Sequence, residues 1–375
     1  MISNKLFFQA LKSNDVNFFT GVPDSLLKNF CACLTDNTEN SQHLITANEG
    51  AAVALAAGYH LATGSLPFVY LQNSGLGNTI NPLLSLADRE VYSIPMLLMI
   101  GWRGEPGVSD EPQHKKQGRV QNSILRAIEI PFYQLNSETD NIEDFVTNAT
   151  KEAKKINGPV VIVVSKNTFE PYSLQPGTSS GYSLSREDAI EYVLDKLSSD
   201  DIIVSTTGKP SREVYEYREA KGQGHQNDFL TVGSMGHCSQ IALGIAMHTE
   251  QNVFCLDGDG SVIMHMGSLG IIGENAPANF KHIVLNNGAH DSVGGQPTVG
   301  FNISIPTIAE GAGYLTTFTA TTKDDLDKDF ERFLEIGGPA LFEIRVKKGA
   351  RNNLGRPNRT PVENKKELMK LLSTE

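Results

Sequence analysis

The amino-acid sequence predicts an α/β fold of two similar doubly wound domains, each built around a parallel β-sheet. Three observations predict it. Apolar runs typical of buried strands alternate with amphipathic or alanine-rich runs typical of helices along the whole length. The second half repeats landmarks of the first half about 186 residues later. A chain of 375 residues also suits two domains of roughly 180 residues better than one.

The first half shows helix and strand signals in alternation. Short apolar runs predict strands, and the alanine-rich segment that begins at Glu49 predicts a helix. The predicted helices cover residues 4–14, 25–34 and 49–63, and the predicted strands cover residues 17–20, 68–72, 96–100 and 160–164. This order indicates βα units joined by crossover helices.

The second half repeats this plan. Strands are predicted at residues 253–256 and 282–285, each followed by a polar or glycine-rich loop. Four pairs of landmarks share nearly one offset: Thr20–Ser25 with Thr207–Arg212, Ala57–Gly58 with Leu243–Gly244, Gly75 with Gly260, and Gly101 with Gly288. A common offset over four landmarks predicts a duplicated domain.

The domain boundary is predicted from a segment rich in proline, serine and glycine. We predict a first domain at residues 1–170, a linker at 171–185 and a second domain at 186–375. No stretch is left over for a third, middle domain. Ligands of open parallel sheets bind at the carboxyl ends of the strands, so two such domains facing each other would hold one ligand between them.

The composition argues against several functional classes. The net charge of −11 argues against nucleic acid and against an anionic membrane surface as partners. The four cysteines form no CxxC pair and no zinc-like spacing with histidine, so we expect buried or neutral thiols. No apolar run approaches the roughly 18 residues of a membrane span, and the N-terminus does not resemble a signal peptide. We therefore expect a cytoplasmic protein.

The loop Gly258–Ser261, with the sequence GDGS, carries the strongest chemical signal. Its glycines allow a tight turn close to an anion, and Asp259 offers the hard oxygen that Mg²⁺ prefers. Asn287 follows 28 residues after Asp259, at the end of the next predicted strand. The sequence therefore predicts a site for Mg²⁺ and a diphosphate. The alternatives are an ordinary turn with a capping asparagine, or a nonenzymatic protein that binds a nucleotide phosphate there.

The segment from Gly258 to Asn287 resembles the GDG-(x25–30)-NN signature of thiamine diphosphate-dependent enzymes. The resemblance implies that Asp259, the side chain of Asn287 and the backbone oxygen of Ala289 bind Mg²⁺. It also implies that a bulky residue, here Met235, sits under the cofactor and bends it, although Met235 could belong to the ordinary core. Cofactor contacts are then expected from Gly208, Met235, Gly236, Gly258, Asp259, Gly260, Ser261 and Asn287. A dehydrogenase is not expected, because no GxGxxG opens a first βα unit.

Glu49 is the candidate for the carboxyl group that activates this cofactor by binding its pyrimidine ring. Burial would raise the pKa of such a carboxyl group and let it hold a proton. The simpler alternative is that Glu49 only stabilises the helix that it begins, through a favourable interaction with the helix dipole. The segment Glu49–Tyr59 resembles the pyrimidine-binding helix of the family. The first domain would then bind the pyrimidine and the second the diphosphate, with active sites at the subunit interface of a homodimer or larger oligomer.

The two-domain length is similar to one branch of this family, the phosphonopyruvate and sulfopyruvate decarboxylases. Four stretches carry the resemblance: Gly21–Ser25, Gln72–Asn78, Gly101–Glu105 and Asp110–His114. Sulfopyruvate enzymes are often split into two subunits, so a single fused chain favours phosphonopyruvate. The resemblance implies decarboxylation of 3-phosphonopyruvate to phosphonoacetaldehyde and CO₂ within phosphonate biosynthesis. Sulfopyruvate or another short 2-oxo acid is the alternative.

A basic stretch between Arg103 and Arg119 is the candidate for binding the anionic head of the substrate. We expect a loop after a strand end, although a solvated charged loop would look the same. Lys209 and the tail 351–359 are further cationic candidates. Substrate contacts are expected from Ser25, Asn73, Arg103, Lys115 and Arg119.

Asp24 and His114 are the candidates for returning a proton after CO₂ has left. Asp24 follows a predicted strand, and the alternative is a turn-forming aspartate with Ser25 as the cap of the next helix. His114 could donate the proton or bind the carboxylate of the substrate. Together with Glu49, these residues form the predicted catalytic set.

Overall fold

The computed structural model describes residues 1–175 and 180–373, which form two compact units. Unit 1 comprises the described residues up to 175 together with Val293–Gln296. Unit 2 comprises the described residues from 180 onwards apart from that short segment. Residues 176–179 of the predicted linker lie outside the described part of the chain.

Unit 1 is a six-stranded parallel sheet flanked by helices. Because all its strand pairs are parallel, each connection crosses back over a face of the sheet. The strands are β1 Phe19–Gly21, β2 His43–Ile45, β3 Phe68–Gln72, β4 Met96–Gly101, β5 Phe132–Leu135 and β6 Pro159–Val164, in the order β2-β1-β3-β4-β6-β5. The helices are α1 Asn4–Ser13, α2 Lys28–Asn37, α3 Glu49–Thr63, α4 Leu76–Pro82, α5 Pro112–Ala127 and α6 Ile142–Ile156.

Unit 2 contains a second six-stranded parallel sheet. The strands are β7 Ile202–Ser205, β8 Asp228–Leu230, β9 Val253–Gly258, β10 Phe280–Asn286, β11 Thr316–Ala320 and β12 Ala340–Arg345, in the order β11-β12-β10-β9-β7-β8. The helices are α7 Arg186–Lys196, α8 Lys209–Lys221, α9 Cys238–Ala246, α10 Asp259–Met264, α11 Ser268–Asn275, α12 Ile305–Gly311, α13 Lys323–Glu335 and α14 Pro361–Leu372.

The two sheets have the same topology, because β7 to β12 take the places of β1 to β6 when the second order is read in reverse. The spacing between equivalent strands is nearly constant: β3 begins at Phe68 and β9 begins 185 residues later, at Val253. The predicted α/β fold of two similar doubly wound parallel-sheet domains is therefore confirmed.

The central strands are buried on both faces, which explains why they read as continuous apolar runs. Successive side chains of a strand point to opposite faces. In β3, Phe68 and Tyr70 therefore belong to one hydrophobic cluster, and Val69 and Leu71 belong to another. The central strand β9 of unit 2 is divided between two clusters in the same way.

Two sequence-based predictions differ from the structure by more than the ends of a strand. The helix predicted from residue 25 begins at Lys28, because the carboxylate of Asp24 accepts a hydrogen bond from the Leu27 N–H at 3.2 Å and holds a turn. The stretch between Arg103 and Arg119 was predicted as one loop, and this is wrong. Helix α5 begins at Pro112, whose fixed φ and missing N–H suit the first turn of a helix.

All four cysteines are free and buried, as the sequence predicts: Cys31, Cys33, Cys238 and Cys255. Burial raises the pKa of each thiol above its usual value. Among the helices of the described residues, none combines the length and the apolar character needed to cross a bilayer.

Candidate active site

Asp259 lies at the carboxyl end of β9, in the first turn of α10, and is buried. Its carboxylate accepts a hydrogen bond from the hydroxyl of Thr298 and one from the Asn287 N–H at 3.4 Å. β9 and β10 are neighbouring parallel strands, so their carboxyl ends meet at one edge of the sheet. This pairing is what brings Asn287 to Asp259 across 28 residues of sequence.

A second layer of contacts fixes the end of β10. The side-chain amide of Asn286 donates hydrogen bonds to the Gly300 carbonyl at 2.8 Å and to Glu343 on β12 at 2.7 Å. Gly300 has to be a glycine, because a Cβ there would lie 2.6 Å from a carboxylate oxygen of Asp259. Position 300 beside Asp259 therefore has no space for a side chain.

The donor set around Asp259 fits a hard cation. Among the described residues, no lysine, arginine or histidine pairs with this carboxylate, and burial raises its pKa to about 6. The Asn287 side-chain oxygen accepts from the Ala289 N–H at 3.0 Å, so both residues lie in one tight turn beside Asp259. A carboxylate, an amide oxygen and a backbone oxygen in such a turn are suited to Mg²⁺. An ion would also compensate the buried negative charge.

Three loops of unit 2 meet around Ser261. Its hydroxyl accepts hydrogen bonds from the Gly236 N–H at 3.1 Å and from the Thr206 hydroxyl at 3.2 Å. Gly208 and Gly236 have φ values of 102° and 86°, which favour glycine. Glycine turns that end at helix N-termini present backbone N–H groups to an anion, so this cradle fits a diphosphate.

Met235 packs against the GDGS loop. A Cβ at Gly260 would lie 3.2 Å from the Met235 methyl group and 3.3 Å from the ring of His290. Burial lowers the pKa of His290 to about 4, so this ring is neutral at pH 7. Met235 thus supplies an apolar surface beside the metal and phosphate cradle.

A buried ion-pair cluster anchors the loop that follows Asn287. Arg186 on α7 donates two hydrogen bonds of 2.7 Å to Glu213 on α8, and a third of 3.1 Å to Asp291. Lys209 also pairs with Asp291, at 3.0 Å. Lys209 is therefore committed to this cluster, which does not support the expectation that it binds substrate.

Glu49 begins α3 in unit 1 and is buried. The Asn78 side-chain amide donates to its Oε2 at 2.7 Å, and its Oε1 lies over Gly75. A Cβ at position 75 would overlap with the carboxylate, so a glycine is required there. One oxygen of Glu49 is therefore held by the protein, and the other faces a residue without a side chain.

Asp24 is buried at the carboxyl edge of β1, where it accepts a hydrogen bond of 2.6 Å from the Gln72 side chain. A Cβ at Gly101, the end of β4, would overlap with this carboxylate. Burial raises the pKa of Asp24, against the opposing effects of Gln72 and of the positive charge of Arg103. Asp24 therefore binds a proton more readily than an exposed aspartate does.

Arg103 is joined to Asp110 by a two-pronged ion pair, with one N–H···O distance of 2.8 Å. A further N–H of Arg103 donates to the Ser25 hydroxyl at 2.5 Å, and the Asn73 side chain donates to the Arg103 carbonyl at 2.7 Å. Despite burial, the hydrogen bonds from Arg103 hold the pKa of Asp110 well below its usual range. The structure thus gathers Asp24, Ser25, Asn73 and Arg103, and it compensates the charge of Arg103 from within the chain.

His114 lies on the buried face of α5. Burial lowers its pKa to about 4, aided by the positive charge of Arg103. Its Nδ1 is buried without a hydrogen-bond partner among the described residues. His114 is therefore neutral at pH 7 and does not supply a positive charge for an anionic substrate.

The remaining predicted cations have different surroundings. Lys115 and Arg119 lie on the exposed face of α5. In the tail 351–359, Arg351 pairs with Glu187 at 2.7 Å and Arg359 pairs with Glu367. These pairs commit the tail arginines to acidic side chains of unit 2.

Several residues of these networks were missed by sequence reasoning. Asp110 lies in the stretch Asp110–His114, which carries the family resemblance, but the sequence alone assigned it no role. Gln72 and Asn78 lie in the stretch Gln72–Asn78, which also carries the family resemblance, so this stretch could have indicated them. Thr298 and Glu343 lie in no such stretch, and only the fold brings them to Asp259 and Asn286. The missed residues are Gln72, Asn78, Asp110, Thr298 and Glu343.

Comparison with known proteins connects this geometry with a family. Residues 2–125 match the model of the thiamine pyrophosphate enzyme N-terminal TPP binding domain, and residues 206–344 match that of the C-terminal TPP binding domain. The chain is 36% identical to a phosphonopyruvate decarboxylase of Streptomyces viridochromogenes, over 86% of this chain and 83% of the relative. It is 32% identical to a phosphonopyruvate decarboxylase of Streptomyces hygroscopicus, over 97% and 92%.

A third relative corrects the argument from chain length. The chain is 28% identical to a sulfopyruvate decarboxylase of Methanosarcina acetivorans, over 92% of this chain and 91% of the relative. That protein is also a single chain of two-domain length. A fused chain therefore does not by itself favour phosphonopyruvate over sulfopyruvate.

Proposed function

Because the chain belongs to the thiamine pyrophosphate enzymes, and among them to the decarboxylases of phosphonopyruvate and sulfopyruvate type, we propose that it decarboxylates 3-phosphonopyruvate to phosphonoacetaldehyde and CO₂. The observation that carries the proposal is the pair of buried carboxylates, Glu49 in unit 1 and Asp259 in unit 2, each at the start of a helix beside its sheet. Phosphonopyruvate is placed first because the relatives that act on it by name are the more similar ones.

In unit 2 we assign Mg²⁺ to Asp259, Asn287 and the backbone oxygen of Ala289. The diphosphate is assigned to the glycine cradle around Ser261, at Gly208 and Gly236. Thiamine diphosphate, when bound, supplies the nucleophilic carbon and the electron sink that loss of CO₂ from a 2-oxo acid requires. The apolar side chain of Met235 and the neutral ring of His290 would shield a cofactor held at this cradle from water, which favours loss of CO₂.

In unit 1 we assign the proton chemistry to Glu49. Asn78 holds its Oε2, which leaves Oε1 to bind the ring nitrogen of the pyrimidine. A carboxyl group fixed in this way would exchange a hydrogen bond with the ring at Oε1, which is the contact that general acid–base catalysis at the ring requires. The role requires a rigid carboxylate, and Asn78 and Gly75 provide that rigidity.

Asp24 is the better of the two predicted proton donors. Because its pKa is raised, Asp24 is protonated more readily than an ordinary aspartate, as a general acid must be. The lowered pKa of His114 leaves it without the extra proton at pH 7, so its role is limited to hydrogen bonding with the substrate. We therefore propose that the carboxyl group of Asp24 donates the proton that takes the place of CO₂ in the product.

The test is an aldehyde-release assay with phosphonopyruvate, sulfopyruvate and pyruvate, each with and without thiamine diphosphate and Mg²⁺. We expect the highest kcat/KM on phosphonopyruvate and loss of turnover after removal of metal with a chelator, restored by Mg²⁺. Turnover that is independent of thiamine diphosphate would contradict the proposal. Asp259→Asn should weaken cofactor binding by about 100-fold or more, because it removes the charge that holds the metal.

Sulfopyruvate decarboxylation is the second candidate, favoured by the full-length match to the Methanosarcina acetivorans protein. The same assay separates the two, because the substrates differ only in the charge and geometry of the head group. A higher kcat/KM on sulfopyruvate would replace the first proposal by the second.

A further inference from the structure

A cavity lies beside Arg103, between the loop 104–110 and helix α5 in unit 1. Its volume is about 380 Å³, and Lys115 and Arg119 line it together with the loop. This volume is sufficient for a small molecule. The cavity follows directly on the carboxyl end of β4, the edge at which Asp24 and Ser25 also lie.

The two cations of the cavity are free to bind an anion. Lys115 and Arg119 are one helical turn apart, so their side chains emerge from the same face of α5. Neither forms an ion pair with any described residue, whereas Arg103 is already bound to Asp110. Glu105 is the uncompensated carboxylate of the lining, and it accepts a hydrogen bond from Ser165 at 3.0 Å. Because Arg103 behind the lining neutralises Asp110, the two free cations exceed the one remaining carboxylate by a single charge.

The walls of the cavity are held in place by glycines and by Asp110. Asp110 accepts hydrogen bonds from the Gly104 N–H at 2.8 Å and the Glu111 N–H at 2.7 Å, so one carboxylate joins both ends of the loop. A Cβ on Gly118 would overlap with the carbonyl group of Gly104, and a Cβ on Gly104 would overlap with the backbone of His114. The loop and the helix are thus preorganised, and a ligand does not have to order them.

We propose that Lys115 and Arg119 form the subsite for the anionic head of the substrate, a phosphonate or sulfonate, while Arg103 positions the loop and does not bind the head. The inference rests on the proposed function. An arginine binds two oxygens of such a head in parallel, and a lysine adds a point charge. The hydrogen bond from Arg103 to Ser25 connects this subsite with Asp24, the proposed proton donor.

The test uses the full chain with bound cofactor and the variants Lys115→Gln, Arg119→Gln and the double variant. KM for the anionic substrate should rise roughly 10- to 100-fold in the double variant with little change in kcat. The kcat/KM for pyruvate, which has no anionic head, should stay the same. Lys116→Gln is the matched control, because Lys116 is exposed on the same helix and does not line the cavity.

A binding measurement separates this inference from the proposed function. Phosphonoacetate, titrated by calorimetry, should bind the wild type and the Lys116→Gln variant, and should bind the double variant at least tenfold more weakly. Wild-type turnover with unchanged KM and phosphonoacetate affinity in the double variant would overturn the subsite alone. Weakened binding in the double variant, with a wild type inactive on both anionic substrates, would overturn the proposed function and support the subsite.

Discussion

The two units have the same six-stranded sheet and use the same edge of it for different chemistry. In unit 1 the edge presents ionisable side chains: Glu49, Asp24 and the Arg103–Asp110 pair. In unit 2 it presents glycine turns, helix N-termini and one buried carboxylate, Asp259. The shared backbone therefore fixes where polar groups gather, and the residues of the loops decide whether that edge carries ionisable side chains or glycine turns around one carboxylate.

The largest effect should come from removing the carboxyl group of unit 1. Glu49→Gln keeps the size of the side chain and loses the carboxyl group to which we assign the proton chemistry, so kcat should fall about 10²- to 10⁴-fold. Calorimetric binding of thiamine diphosphate with Mg²⁺ should persist, because unit 2 is unaltered. Glu90→Gln is the control, since Glu90 is an exposed acid of the same unit. Near-normal turnover in Glu49→Gln would remove Glu49 from the mechanism.

The same variant, combined with Asp259→Asn, tests whether each active site is shared between two copies of the chain. Glu49→Gln lacks the proposed function of unit 1, and Asp259→Asn lacks that of unit 2. If an active site takes its two halves from different copies of the chain, then mixed oligomers of the two inactive variants should regain part of the activity. Mixtures that exchange subunits, as judged by mass spectrometry, and remain inactive would argue against a shared site.

The next effect concerns the ion pairs of the two units. Arg186 and Glu213 in unit 2 are 5% and 1% exposed, whereas Arg103 and Asp110 in unit 1 are 19% and 12% exposed. Arg186→Met leaves the charge of Glu213 buried without its main partner and should lower the free energy of unfolding by about 3–5 kcal/mol. Urea unfolding followed by circular dichroism measures this loss.

Two variants control this measurement. Lys196→Met breaks the exposed pair with Glu331 and should cost far less stability than Arg186→Met, because water already screens both charges. The double variant Arg186→Met with Glu213→Leu should recover most of the stability, because Glu213 is removed and Asp291 keeps Lys209 as its partner. If Arg186→Met and Lys196→Met cost the same, burial does not govern the strength of these pairs.

The smallest effect concerns pH. Burial lowers the pKa of His43 in unit 1 from 6.5 to about 4, so the unfolded chain takes up a proton first and unit 1 loses stability as pH falls from 6.5 towards 4. Between pH 7 and pH 5 the part of the loss that His43 causes should be about 2 kcal/mol, and His43→Gln should remove this part, whereas the lowered pKa of His114 leaves a further loss in place. Fluorescence of Trp102, the single tryptophan and part of unit 1, follows urea unfolding at both pH values.

His225 in unit 2 provides the opposite case. Against the effect of burial, the carboxylates of Asp228 and Glu219 raise its pKa. Its stabilising contribution is complete below pH 6.5 and is lost as pH rises through the raised value. His225→Gln should therefore cost more stability at pH 5 than at pH 7. Equal pH dependence in the two histidine variants would contradict the assigned surroundings.

The sequence predicted the parts of the site that depend on local order. Helix α3 and strand β3 have the predicted boundaries, because the local sequence, an alanine-rich run and an apolar run, determines them without contacts from distant segments. The spacing of Asp259 and Asn287 was readable because parallel neighbours end at the same edge. Local spacing of this kind is set by one βα unit and does not need the rest of the fold.

The sequence did not predict contacts between distant segments. Thr298 and Glu343 reach Asp259 and Asn286 from later segments of unit 2, and no short motif marks them. The charge of Arg103 is visible in the sequence, whereas its pairing with Asp110 depends on how the loop folds back. The charges of the basic stretch likewise suggest a loop, whereas Pro112 is a local signal for the start of a helix.

The four buried cysteines have a practical consequence. Their raised pKa values keep the thiols protonated and their burial shields them from reagents, so maleimides should leave the native protein unlabelled. A single cysteine introduced at an exposed position such as Lys116 would then be the one reactive thiol on the surface. A dye attached there would report the arrival of an anion on helix α5 without any change to the native thiols.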